Sequence, residues 1–231
     1  MKTNKQIVTK NQNHPKKPKS PWPTKAAMEQ VYKKNLWGGD NADFYSGEGS
    51  HLPAIVNRYI ETVTAFFTSS KPPLTVCDLG CGDFNVGKNL VPHTKKYIAI
   101  DIVPSLIARN QQLFNAPNLE FHCLDIATAP LPKADCAILR QVLQHLSNAE
   151  IQSVVNKLAA YKYVILTEHI PEGDFIPNKD IISGQGNRLK VQSGVNLLAP
   201  PFNLKVQEEK QLSKVVLNDG KGIIVTWLFK L

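Results

Sequence analysis

Three acids and two glycines between positions 78 and 101 are where this chain could do chemistry. Asp78-Leu79-Gly80-Cys81-Gly82-Asp83 closes a short, β-branched, apolar run at 74–79, and Asp101 closes a second such run at 97–101. Both runs read as buried strands. Gly80 and Gly82 lack a Cβ, so the backbone there can turn sharply and approach a ligand closely. Asp101 stands 21 residues beyond Gly80. At about 20 residues, the first two strands of a doubly wound α/β sheet present a glycine turn and a carboxylate to one nucleoside. A carboxylate at a strand end can accept both hydroxyls of a ribose. Residues 85–90 are expected to open the helix that follows.

A dinucleotide site would need a third glycine near position 85, and that position is Asn85. Asp83 would also repel a phosphate held at a helix N-terminus. A ligand with a ribose and no phosphate fits better, and a glycine-rich turn with no ligand is the plain alternative. On these residues the chain resembles the class I S-adenosylmethionine-dependent methyltransferases. Asp78-Leu79-Gly80-Cys81-Gly82 looks like their first motif and Asp101 like the acid of their second. The resemblance implies S-adenosylmethionine as cofactor and S-adenosylhomocysteine as product. It implies a site formed by Asp78, Gly80, Cys81, Gly82, Asp83, Asp101, Ile102, Asp125, Ile126, Arg140 and Gln141. Asp101 would hold the ribose, Asp125 the adenine amino group, and Ile102 and Ile126 the faces of the ring. Asp78 would orient the turn or the cofactor's amino group. For Asp125 the alternative is an N-cap of its own loop.

The elements that must position these groups follow in order. Helices are expected at 26–36, at 52–67 with Ser50 as N-cap, at 105–114 and at 149–161. Further strands are expected at 119–125, 135–139, 163–168, 204–208 and 222–229, with a turn at 218–221 before the last. Ligands in open α/β sheets bind outside the carboxyl ends of the strands, so Arg140 and Gln141 border the reacting centre. In a helical turn over 141–145, Gln141 and His145 share a face. His145 is the candidate general base or substrate hydrogen-bonding group; otherwise it is a helix-end histidine bonded to a carbonyl. Glu168, His169 and Arg188 are expected on the acceptor side. Trp37, Tyr45 and Ser46 belong to an aromatic, glycine-bearing loop that either covers the methionine end of the cofactor or staples a helix to the sheet. Residues 175–202 show no periodicity, and a stretch that long is usually functional or disordered.

Length and charge bound the rest. A chain of 231 residues can build one sizeable core with a small appendage. Its net charge of +8 is concentrated in residues 1–25, which hold seven lysines and no acid. That tail reads as disordered, and weak contact with RNA or an anionic surface is its functional reading. The remainder is nearly neutral, which disfavours a nucleic-acid-binding domain. No apolar run is long enough for a membrane helix, no secretory h-region follows the first lysines, and a cytoplasmic location is expected. The four cysteines lack zinc-ligand spacing and read as small core residues, three in buried strands and one in the glycine turn. No metal is expected.

Residues 32–229 also resemble a bacterial subgroup of class I methyltransferases whose substrates are largely unassigned. The resemblance rests on Trp37, Ser46-Gly47-Glu48-Gly49-Ser50, Cys81-Gly82-Asp83-Phe84, residues 97–103, Leu131-Pro132-Lys133-Ala134-Asp135, Arg140 to His145, and residues 178–202. The subgroup pattern has Asp where this chain has Gln141, and Pro where it has Gly80. The first departure removes a candidate carboxylate base. The expected fold is a Rossmann-like α/β unit: a doubly wound, seven-stranded, mostly parallel sheet with an antiparallel last strand. An N-terminal helical cap and lid loop (26–70) would precede the methyltransferase domain (71–231). The expected function is methyl transfer to a small-molecule acceptor, including a hydroxyl of a sugar or metabolite. An RNA methyltransferase tethered by the tail, a non-catalytic cofactor-binding module and an NAD-dependent reductase are the alternatives. No Asn/Asp-Pro-Pro-Tyr/Phe motif ends the fourth strand, which counts against base-amine methylation.

Overall fold

The structure, a computed structural model, describes residues 22–39 and 43–231. Among these residues the strands β1 (Thr75–Leu79), β2 (Lys96–Asp101), β3 (Leu119–Cys123), β4 (Cys136–Arg140), β5 (Tyr163–Ile170), β6 (Glu208–Val216) and β7 (Ile223–Lys230) form one sheet. Their order is β3-β2-β1-β4-β5-β7-β6. The first five pair in parallel. β7 runs antiparallel between β5 and β6, as expected for the last strand. The order reverses at β1, so the crevice between the ends of β1 and β4 is the switch point where this fold binds ligands.

Apolar alternation fixes what covers each face. On one side α4 (Asn148–Leu158) buries Ile151, Val154, Val155 and Leu158 against Cys77, Leu79, Leu139 and Leu166. A full capping box starts it: the Ser147 side chain takes the Glu150 amide while the Glu150 carboxylate takes the Ser147 amide. On the other side α2 (Pro53–Ser69) buries Tyr59, Val63 and Phe67 against Val76, Ile138 and Ile165. α1 (Thr24–Lys33) sets Met28 and Tyr32 against Val103 and Leu106, the latter on α3 (Pro104–Leu113). α2 is itself one wall of the core. The expected tail lies outside the described residues up to position 21, and Thr24 and Lys25 already belong to α1.

The structure corrects several expectations. The segment after the glycine turn forms two 3₁₀ turns, Gly87–Asn89 and Val91–His93, rather than a helix from 85. Gly87 and Pro92 both oppose an α-helix there. Ser50 does not cap α2, which begins at Pro53 without a side-chain cap. Proline tolerates that position because its missing N–H is unsatisfied there anyway. The penultimate strand starts at Glu208 and not at 204. On α3 the apolar spacing would turn Leu113 inward with Leu106 and Ile107, but Leu113 faces solvent and Asn110 takes the buried position. Cys123 is exposed on β3, the edge strand, and only Cys77 and Cys136 are core thiols.

Leu139, on central β4, is fully buried between α4 and the sheet. Leu139→Ala should lower unfolding free energy by about 2–5 kcal/mol. Chemical denaturation checks this, and a loss well under 1 kcal/mol would mean that the face is loosely packed.

Candidate active site

The glycine turn is built by the end of β2. Gly80 and Cys81 both donate their N–H to the Ile100 carbonyl at 2.8 Å. Asp101, next in sequence and 8% exposed, accepts the Gly82 N–H at one oxygen and the Val103 N–H at the other, each at 3.1 Å. Burial pushes its carboxyl up, and the amides of Val103 and Gly82 hold it down. A carboxylate offers about four lone-pair sites. Two are used here, which leaves acceptor capacity for the paired hydroxyls of a ribose. Gly80 (φ 91°) and Gly82 (φ 56°) are both left-handed. A Cβ on Gly82 would overlap the Ser46 side chain and hold the lid off the turn.

A cavity of about 400 Å³ lies over the strand ends. Toward β2 and β3 its wall is Asp101, Ile102, Leu124, Asp125 and Ile126. The two isoleucines supply the apolar faces expected for adenine. Asp125 accepts the Ala127 N–H at 2.8 Å and the Thr128 hydroxyl at 3.0 Å, so it caps its own loop while lining the wall. Lys157, reaching from α4, donates to the carbonyls of Ile126, Ala127 and Ala129 and fixes that loop.

Over β1 and β4 the cavity turns polar. Asp78, 5% exposed, accepts the Tyr97 hydroxyl at 2.8 Å. Burial raises its carboxyl to about 7, against the pull of Tyr97 and Arg140. Arg140 donates to Ser50 Oγ at 3.1 Å and to the Gly49 carbonyl, and lies 4.9 Å from the Tyr59 ring centroid. Arg140 Nε and Tyr59 Oη are buried with no partner among the described residues, and both residues line the cavity. Orphaned buried donors of this kind suit a ligand carboxylate. Gln141 sits next to them in a left-handed conformation (φ 56°), its N–H on the Thr167 carbonyl at 2.7 Å. A non-glycine residue held there at a strand end is a mark of functional sites.

The 43–51 loop is latched by Asp83. This carboxylate, 4% exposed, accepts the Ser46 N–H at 2.8 Å, the Asn85 N–H at 3.0 Å and His51 Nε2 at 2.6 Å. Ser46 Oγ accepts the Asp83 N–H at 2.8 Å and meets the Tyr32 hydroxyl at 3.0 Å. Asp83, expected among the cofactor contacts, thus lines the cavity with Oδ2 taken by the 43–51 loop and Oδ1 by the Asn85 N–H. Trp37 and Ser46 also line it, whereas Tyr45 stacks on His51 with centroids 4.3 Å apart and is not part of the wall. A second segment meets the lid from the far side. Trp37 Nε1 donates to the Gln185 carbonyl at 3.2 Å, and the Gln185 amide donates to the Leu36 carbonyl at 2.7 Å.

The acceptor-side residues divide. His145 lines the cavity at the 3₁₀ turn Leu143–His145. The His169 N–H donates to Gln144 Oε1 at 3.2 Å, which turns Gln144 Nε2 toward His145 Nε2 at 3.1 Å. His145 Nε2 therefore accepts, and Nδ1 donates to the Gly186 carbonyl at 2.9 Å. Burial lowers this imidazole to about 4. Glu168 is fully buried, off the cavity wall, and burial raises it to about 8 against the pull of Arg188 and the amides of Gln144 and Leu143. Neither of its oxygens closes a hydrogen bond among the described residues. Arg188, 1% exposed, is a clamp rather than a cavity residue. Its guanidinium holds the carbonyls of Leu143, Leu146 and Lys179 and the Asn148 side chain, tying the 178–191 stretch to the His145 turn. The residues that sequence reasoning missed are Tyr59, Tyr32, Gln144 and Gln185. Most of their contacts join residues far apart in sequence, and no local pattern marks them.

A doubly wound sheet with its last strand inserted antiparallel, a glycine turn and a buried acid at the end of β2 define a class of nucleoside-binding fold. A methyltransferase domain family matches residues 76–161, from β1 through α4. A malonyl-[acyl-carrier protein] O-methyltransferase of Acetivibrio thermocellus is 37% identical over 92 residues, which are 38% of this chain and 32% of that protein. The match thus spans about a third of that relative's length. The N-methyltransferase NodS of Bradyrhizobium japonicum, solved with S-adenosylhomocysteine, superposes with a TM-score of 0.64 at 14% identity, covering 88% of this chain and 98% of that one. Magnesium protoporphyrin IX methyltransferase of Synechocystis, solved with S-adenosylmethionine, gives 0.56 at 16% identity, covering 93% and 100%. The fold is that of the class I S-adenosylmethionine-dependent methyltransferases, and residues 76–161 carry the segment that matches a methyltransferase domain.

The buried acids and His145 set opposite pH slopes. Asp78 (about 7) and Glu168 (about 8) hold protons in the folded state that the unfolded state loses near 4, so their contribution falls as pH rises from about 4 to 8. His145 (about 4, against about 6.5 unfolded) contributes the reverse, a gain as pH rises from about 4 to 6.5. Above pH 6.5 only the carboxylates remain of these three. Unfolding free energy should therefore fall between about pH 6.5 and 8, and Glu168→Gln should flatten the slope. Urea titrations across that window check it, and an unchanged slope in the variant would show that Glu168 is not held protonated.

Proposed function

We propose that this protein transfers a methyl group from S-adenosylmethionine to a small-molecule acceptor. The observation that carries the reading is Asp101, buried beside the Gly82 amide with acceptor capacity to spare and lining the cavity over the strand ends. Small-molecule sites occupy about 300–1,000 Å³, and this cavity, at about 400 Å³, falls within that range. The two neighbours solved with S-adenosylhomocysteine or S-adenosylmethionine support the same cofactor, and the magnesium protoporphyrin IX enzyme supports a small acceptor. When bound, S-adenosylmethionine supplies a methyl carbon already activated by its sulfonium.

The chain's own residues then have distinct tasks. Asp101 holds the ribose, Ile102 and Ile126 take the adenine faces, and Gly80 and Gly82 allow the backbone to come close. Arg140 and Tyr59 offer their unpartnered donors to the amino-acid carboxylate, with Asp78 beneath. Tyr32, Trp37 and Ser46 close the top, so that water is excluded and the acceptor is aligned. Alignment of this kind can supply up to about 7–11 kcal/mol of the barrier. With both ring nitrogens occupied, His145 serves as a neutral hydrogen-bonding wall rather than as a general base.

Asp101→Ala should weaken S-adenosylhomocysteine binding by about tenfold or more, since charged hydrogen bonds are worth about 1.5–3 kcal/mol each. Calorimetry on the wild type and the variant checks this. Equal affinity would remove the ribose role, and no binding to the wild type would remove the reading.

A further inference from the structure

His169 lies at the end of β5 and on the cavity wall. Thr167 pairs with Arg140 in the parallel ladder, and side chains alternate along a strand. His169, two residues on, therefore shares the sheet face of Thr167 and Arg140. Its Nε2 meets the Lys221 carbonyl at 2.6 Å. A carbonyl only accepts, so Nε2 carries the proton and Nδ1 carries the lone pair. No hydrogen bond among the described residues engages that Nδ1.

The contact depends on the turn into β7. Gly222 has φ 90°, and a Cβ there would overlap the Ile170 carbonyl and stand 3.4 Å from His169 Nε2. With no Cβ, the chain can bring the preceding carbonyl onto the imidazole. The other titratable groups on the wall are differently placed. His145 has both nitrogens bonded, Asp78 holds Tyr97, Asp83 holds the lid, and Asp101 holds the glycine turn. Asp125 caps its own loop, and Glu48 is exposed at the rim. Burial lowers the His169 imidazole and the Lys221 carbonyl raises it, with no charged side chain among the causes.

Resting on the methyltransferase reading, we propose that His169 Nδ1 takes the proton released by the methyl acceptor. The acceptor's O–H or N–H bond breaks and the proton goes to Nδ1. The acceptor's electron pair forms the bond to the methyl carbon, while the pair of the broken carbon–sulfur bond stays on sulfur. The imidazolium keeps its Nε2–H on the Lys221 carbonyl and returns the other proton to water. An acceptor that must lose a proton, such as a hydroxyl or an ammonium, is the class this arrangement serves.

Diethyl pyrocarbonate acylates an imidazole nitrogen that bears a free lone pair. The full chain is treated briefly at pH 7, and acylation is followed by peptide mass spectrometry, with exposed His122 as the internal reference. His169 should react at least about tenfold faster than His145, whose nitrogens are both engaged. Saturating S-adenosylhomocysteine should slow His169 relative to His122. His169→Asn should leave S-adenosylhomocysteine affinity, read by calorimetry, within about twofold of wild type. If His169 reacts no faster than His145, or reacts at the same rate when S-adenosylhomocysteine is bound, the proposal is overturned while the methyltransferase reading stands. A tenfold loss of affinity in His169→Asn would make it a cofactor contact and also overturn the proposal. Failure of the wild type to bind S-adenosylhomocysteine would overturn the methyltransferase reading itself.

Discussion

Three carboxylates, Asp78, Asp83 and Asp101, are buried around one tight turn, and the site is arranged around the problem this poses. Buried charges are costly unless each is neutralised or fully hydrogen-bonded. Asp78 is shifted toward its neutral form and bonded by Tyr97. Asp83 collects three donors, two of them from the lid. Asp101 is met by two backbone amides. Asp83, hydrogen-bonded within the turn, makes it hostile to a phosphate while Asp101 stays receptive to hydroxyls. A nucleoside without phosphates, with a positive centre further along, is the ligand such a turn can hold.

That solution also explains why the lid closes where it does. Ser46 and His51 belong to a loop far from β1 in sequence, yet they complete the coordination of Asp83. Satisfying an acid of the turn and covering the cavity are one event. Arg140 extends the coupling, because it binds the Gly49 carbonyl and the Ser50 hydroxyl from the end of β4. Movement of the loop would expose Asp83 to water and free Arg140 at the same time, so the loop has a reason to be either fully seated or fully released.

Local signals were legible in the sequence and distant ones were not. β1, the glycine turn and Asp101 follow from residue types within one short stretch, and the inward positions of α4 follow from simple periodicity. The β6 start was missed because Glu208-Glu209-Lys210 is an edge stretch, polar on both faces, and carries no alternation. After Asp83 the strand–turn order favours a helix, but Gly87 and Pro92 break it into two 3₁₀ turns. Arg188 and Glu168 were assigned to the acceptor side on chemistry alone. A buried guanidinium that satisfies carbonyls of two separate loops has no local pattern, and neither does an acid whose strand position turns it into the core.

The two histidines show where residue type stops being informative. Both line the cavity, and both have a ring nitrogen on a backbone carbonyl. They differ in what meets the other nitrogen. Gln144, oriented by the His169 N–H, spends its amide on His145, and no such group reaches His169. The backbone of one histidine thus helps disarm the other. A base is defined here by the lone pair that the surrounding loops leave free, and those loops, the 184–188 segment and the turn into β7, lie beyond the matched domain at 76–161. The carbonyls that fix the two imidazoles thus come from connections outside the matched segment.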